Sequence, residues 1–79
     1  MDPSQIEAKL TRQIASILSV EVKDIKPEAP LHTLGVDSLS FVELLVFIEK
    51  EFQINLMESG LRAEDFKTIR SLSGRISRQ

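Results

Sequence analysis

Cysteine is absent from the chain. Its absence removes both a disulfide framework and thiolate metal sites, and it suits a reducing, cytoplasmic setting. Histidine occurs once, at His32, and the carboxylates are scattered rather than grouped at ligand spacing, so the sequence offers no metal centre. No apolar run approaches the roughly 20 residues of a membrane span. The opening stretch MDPSQIEAKL carries an acid where a signal peptide is basic. Apolar alternation never lasts long enough to prefer a strand, and there is neither an internal repeat nor a low-complexity tract. The expectation is a cytoplasmic, all-α chain that does not enter a membrane.

What is present fits one small folded unit. The chain has 79 residues, 42% of them apolar and 28% charged, an ordinary balance for a globular domain. A single domain over residues 1–79 follows, and its size argues against a free-standing enzyme that must also wall off a pocket. The net charge of −2 is unevenly spread: −1 over residues 1–36, −4 over 37–61 and +3 over 62–79. The acidic middle repels nucleic acid and favours partners rich in Lys and Arg. In the tail, Lys67, Arg70, Arg75 and Arg78 are read as solvation and as complements to the C-terminal end of a last helix.

The periodicity predicts a small four-helix bundle with a long loop between its first and second helices and a short third helix. Asp2 is placed to cap the first helix, with Pro3 at its first position and Gln5 at the reach-back position of a capping box. Ile6, Leu10, Ile14, Ile17 and Leu18 form one apolar stripe along it. From Ser19 to Asp37 the pattern breaks at Pro27, Pro30 and Gly35, leaving Val22, Ile25, Leu31 and Leu34 as expected anchors. A loop that long usually belongs to function. The second helix is predicted from about Ser38 to Phe52, with Phe41, Leu44, Leu45, Ile48 and Phe52 facing the core. Further on, LRAEDF suits a short helical turn. Thr68 is placed to cap a last helix that buries Ile69, Leu72 and Ile76 and is weakened by Gly74.

The second helix carries a second apolar stripe, Leu39, Val42 and Val46, flanked by Glu43, Glu49 and Lys50. Such a stripe, edged by charge and lying close to Ser38, reads as a contact surface for another protein unless the long loop folds over it. Ser38 itself has no means of activation. His32 lies six residues upstream in a loop, and nothing in the sequence supplies an orienting acid or an oxyanion hole. A serine at a helix start suits attachment instead, because unpaired N–H groups and the helix dipole accept a phosphate there. Gly35 lets the preceding loop turn freely. Taken alone, Asp37-Ser38 is also a commonplace cap.

The whole stretch LGVDSLSFVELLVFIEKEF is more specific: it resembles the second-helix region of acyl carrier proteins and of phosphopantetheine-dependent carrier domains. Leu34, Gly35, Asp37, Ser38, Leu39, Val42, Glu43, Leu44, Glu51 and Phe52 match the family pattern in place, and the likeness extends through IKPEAPLHTLG and EDFKTIRSLSGRI. The resemblance implies that Ser38 carries 4′-phosphopantetheine from coenzyme A and that Asp37 is read by the phosphopantetheinyl transferase. It also implies a carrier of acyl or aminoacyl thioesters, loaded by a ligase and served by ketosynthases or other acyl-transferring enzymes. Their docking would fall on Leu39, Val42, Glu43, Val46 and Glu49. Ser40, Lys50 and the basic tail depart from the fatty-acid type, and Pro30-Leu31-His32-Thr33-Leu34 looks more like polyketide or peptide-synthase carriers. The expected protein is a monomeric, free-standing, non-catalytic carrier. The alternative is a helical adaptor that binds a protein partner through the same stripe without a prosthetic group.

Overall fold

Asp2 opens the first helix, α1, which spans Pro3–Leu18. Its Oδ1 accepts the Ser4 N–H at 2.9 Å, satisfying one of the donors that a helix start leaves free. The chain leaves α1 through Ser19, whose φ of 58° lies in the left-handed region, and the Val20 N–H returns to the Ala15 carbonyl at 3.0 Å. The computed structural model describes residues 2–79. Two further α-helices follow, α2 over Ser38–Phe52 and α3 over Ile69–Ser77.

Three single turns of 3₁₀ helix punctuate the connections, at Val22–Asp24, Leu31–Leu34 and Ala63–Phe66. The short third helix expected around LRAEDF is the last of these, a single 3₁₀ turn, so the described residues hold three α-helices and not the expected four-helix bundle. Among the described residues the sole β-type pairing is an isolated antiparallel bridge between Pro30 and Thr68.

One core joins all three helices. Ile6, Leu10 and Ile14 of α1 meet Leu44 and Ile48 of α2 and Ile69, Leu72 and Ile76 of α3, with Ile25 and Leu31 reaching in from the crossover loop. Each such side chain contributes about 1.5–3 kcal/mol on burial. Thr11 and Ser73 are buried as well, and each satisfies its hydroxyl on its own helix, donating to the Glu7 and Ile69 carbonyls at 2.7 Å. Small and internally satisfied, they cost the core no unpaired polar atom. Thr68 caps α3 reciprocally with Ser71, as the sequence suggests: the Ser71 N–H donates to Thr68 Oγ1 at 3.0 Å and the Thr68 N–H to Ser71 Oγ at 3.2 Å.

Two expectations shift. Val22 is exposed rather than an anchor, because it starts a one-turn 3₁₀ helix from which Ile25 is the side chain that enters the core. On α2 the buried arc is rotated relative to the expected one. Leu44 and Ile48 are fully buried, Phe41, Leu45 and Phe52 are half-buried, and Phe47 also packs on the core, meeting the Phe52 ring edge-on at 6.0 Å.

The tail's charges act as ties. Arg70 reaches Glu28 at 3.0 Å and Glu7 at 3.4 Å, and Arg75 reaches Asp65 at 3.5 Å and the Gly60 carbonyl at 3.2 Å. As exposed or half-exposed pairs each stabilises by at most about 1 kcal/mol, yet together they hold the loops to α3.

Gly74 is the weak point of α3. A Cβ there meets nothing closer than a guanidinium nitrogen of Arg78 at 3.7 Å, an ordinary contact. Gly74→Ala is therefore expected to stabilise the protein by about 0.5–1 kcal/mol, read as a higher urea midpoint at unchanged m-value.

Candidate functional site

The crossover loop ends in a turn that only a residue tolerant of positive φ makes without strain. Gly35, with φ 104°, closes the Leu31–Leu34 turn, and its N–H donates to the His32 carbonyl at 3.3 Å. Two residues later Asp37 adopts extended geometry and caps α2, its Oδ1 accepting the Ser40 N–H at 2.9 Å. That bond, foremost among the causes, holds the Asp37 carboxyl below the usual carboxylate range. Ser38 is thus the first residue of α2. Its side chain is exposed, and among the described residues its hydroxyl enters no side-chain hydrogen bond.

The cap makes a pH prediction. Because the folded carboxyl titrates below its ordinary value of 3.8, the cap's contribution is fully present above that pH and is lost as pH falls through the lowered folded value. Asp37→Asn keeps an acceptor for Ser40 but no titrating charge. It should flatten this part of the acid-side decline in urea midpoint, measured between about pH 2 and pH 5, while the wild type retains it.

Along the outward face of α2, Leu39, Val42 and Val46 are 70%, 54% and 44% exposed, and the crossover loop does not cover them. Glu43, Glu49 and Lys50 lie exposed on the same helix, whereas Glu51 is paired with Lys9 of α1 at 2.7 Å. Among the described residues, the acids bordering the stripe that pair with no cation are therefore Glu43 and Glu49.

Ser38 also borders a groove of about 480 Å³ that the sequence did not reveal. Leu31, Val36, Phe41 and Phe66 supply its apolar lining, Lys67 is the cation on it, and His32 lines it as well. The Phe41 and Phe66 rings meet edge-to-face, 5.4 Å between centroids at 73°. Its far wall is held by the backbone: the Leu31 N–H donates to the Lys67 carbonyl at 2.8 Å, next to the Pro30–Thr68 bridge. His32 is exposed in the crossover loop and lines this groove together with Ser38, but no hydrogen bond links them. Phe66 and Lys67 were not singled out as site residues: the sequence reads Phe66 only as part of a short turn and Lys67 only as a tail charge.

The site is an exposed hydroxyl on the first turn of a helix, with no base or acid engaged on it, beside an amphipathic groove and an apolar stripe. It suits a tethered group: the hydroxyl is available for a phosphoester, and the groove sets Lys67 beside an apolar lining. Fold and site together make a small helical domain with an exposed serine at a helix start.

The family described as "Phosphopantetheine attachment site" matches residues 8–76, nearly the whole chain, and the protein belongs to it. Its prosthetic group is 4′-phosphopantetheine, covalently attached. The chain is also similar to the non-reducing polyketide synthase dbaI of Emericella nidulans, with 37% identity over 60 residues. That alignment covers 76% of this chain and 2% of the synthase. No solved structure matches the chain. Among the described residues no helix is long and apolar enough to cross a membrane.

Proposed function

We propose that Ser38 is the attachment point, and that residues 1–79 act as a single carrier domain presenting acyl or aminoacyl groups to enzymes of polyketide, fatty-acid or peptide-type biosynthesis in the cytoplasm. The observation that carries this reading is the exposed Ser38 hydroxyl at the first position of α2, within the family match over residues 8–76. When bound, 4′-phosphopantetheine supplies a terminal thiol on which cargo is held as a thioester.

The chain's own residues present and orient. Asp37 fixes the start of α2, and Gly35, with φ 104°, makes the turn that leads into it. Because no side chain here is positioned to take the Ser38 proton, a phosphopantetheinyl transferase must remove it as the serine oxygen displaces the nucleotide portion of coenzyme A, which leaves as adenosine 3′,5′-bisphosphate. In this reading the transferase also recognises Asp37. Leu39, Val42 and Val46, with Glu43 and Glu49, form the docking face for the transferase, a loading ligase and a ketosynthase or similar acyl-transferring enzyme.

The similarity to a polyketide synthase favours polyketide-type partners. An adaptor without a prosthetic group explains the exposed stripe but not the family match. Incubation of the protein with coenzyme A and a broad-specificity transferase tests the proposal: intact mass should rise by one phosphopantetheine, with the modified peptide containing Ser38. An unchanged mass with several competent transferases would favour the adaptor.

A further inference from the structure

The crossover loop enters the core at Ile25 and Leu31, but no side chain of residues 26–30 between them is buried. Polar links to one short stretch, residues 67–70, hold them instead. The Leu31 N–H donates to the Lys67 carbonyl at 2.8 Å, Pro30 bridges to Thr68, and the Arg70 N–H donates to the Pro27 carbonyl at 3.0 Å. The Arg70 side chain completes the clamp: Nη1 reaches Glu28 Oε2 at 3.0 Å, and Nε reaches Glu7 Oε2 on α1 at 3.4 Å. Hydrogen bonds carry this fixed stretch on toward Ser38. The Pro30 carbonyl accepts the Thr33 N–H at 3.0 Å and the Leu31 carbonyl accepts the Val36 N–H at 3.3 Å, one residue before the Asp37 cap. At the start of α2 no side chain of residues 38–43 is buried, and Leu44 is the first that is. The core therefore grips α2 beyond its opening turn, and the presentation of Ser38 depends on the turn that feeds it.

We infer that Arg70 is a positioning residue for phosphopantetheine transfer to Ser38: by clamping Glu28 of the crossover loop to α3 and to Glu7 of α1, it holds the Leu31–Leu34 turn, and with it the opening of α2, in the geometry that a transferase meets. The inference rests on the reading of Ser38 as the attachment point. Arginine suits the role because its planar fork of donors engages two carboxylates at once, which a lysine ammonium does less rigidly. Arg70 does not line the groove beside Ser38, so its effect on the transfer passes through the loop. Both ion pairs are exposed or half-exposed, so the clamp biases the loop without the fold depending on it.

Steady-state transfer kinetics on the full chain, with coenzyme A and one broad-specificity phosphopantetheinyl transferase, test this for Arg70→Gln, Glu28→Gln and the double variant, with product read by intact mass. Arg70→Gln should lower kcat about two- to fivefold, the factor that corresponds to one exposed ion pair, at unchanged KM for the carrier, because the stripe on α2 is untouched. Glu28→Gln should lower kcat likewise, although it changes the net charge in the opposite direction, and the double variant should lose no more than either single one. Arg70→Lys should recover most of the loss. Amide exchange of residues 31–36 should quicken in Arg70→Gln while Leu10, Leu44 and Leu72 keep their protection. Unchanged kcat, unaltered exchange at residues 31–36, or opposite effects of the two single variants, as charges acting directly on the transferase would give, overturns the positioning role and leaves the carrier reading standing. No mass increase in the wild type overturns both.

Discussion

Ser38→Ala should abolish phosphopantetheine transfer altogether while leaving the fold intact. Alanine has no oxygen to attack the coenzyme A phosphorus, so the loss is of the reacting atom and not a graded weakening of binding. Structure is spared because the cap belongs to Asp37 and the Ser38 side chain is exposed. Alanine is also the better helix former, by up to about 0.7 kcal/mol, so the thermal midpoint should hold or rise slightly. The check is intact mass after incubation with coenzyme A and transferase, beside a melting curve. Retention of the mass increase would move the attachment point to another hydroxyl. Ser40 is the nearest, two positions along α2 and half-buried.

The second large effect separates the two faces of α2. Ile48 is fully buried, and its replacement by alanine should cost about 2–5 kcal/mol, the transfer term plus the cavity left behind. At roughly 0.05–0.15 kcal/mol per residue, a domain of this size has a total stability of only a few to about 12 kcal/mol. Ile48→Ala should therefore lower the thermal midpoint by tens of degrees, roughly 10–30 °C, and a urea titration should show a sizeable unfolded fraction at low denaturant. Val42, 54% exposed on the same helix, should behave oppositely. Val42→Ala should change stability by no more than about 0.5 kcal/mol, yet lower the transferase kcat/KM about fivefold, the size of a moderate interface contact. Unaltered transfer kinetics in Val42→Ala would remove that residue from the docking face. A large loss of stability would contradict its exposure.

The helices were legible because their signals are local. Asp2 and Thr68 announce the starts of α1 and α3 through side-chain oxygens that bond within three residues, and Ser38–Phe52 follows directly from an apolar period of 3.6. That Leu39, Val42 and Val46 form a stripe of their own was legible for the same reason, whereas their exposure depended on the fold, since the crossover loop had to leave them uncovered. Phe47 was harder. Its place depends on the edge-on contact with Phe52 and on the approach of α1, where Lys9 pairs with Glu51, and neither is written in the periodicity of one helix.

By itself, then, the sequence determined where the three α-helices lie, which residues cap them, and that Ser38 opens the second beside an apolar stripe, since each depends on neighbours within a turn or two. Tertiary structure alone decided that His32, Phe66 and Lys67 gather beside Ser38, that Val22 stays in solvent, and that the tail's arginines tie down loops. One wall of the groove is held by a hydrogen bond from the Leu31 N–H to the Lys67 carbonyl. Nearly every residue carries those same two backbone groups, so no side chain marks which pair will meet until the core has folded.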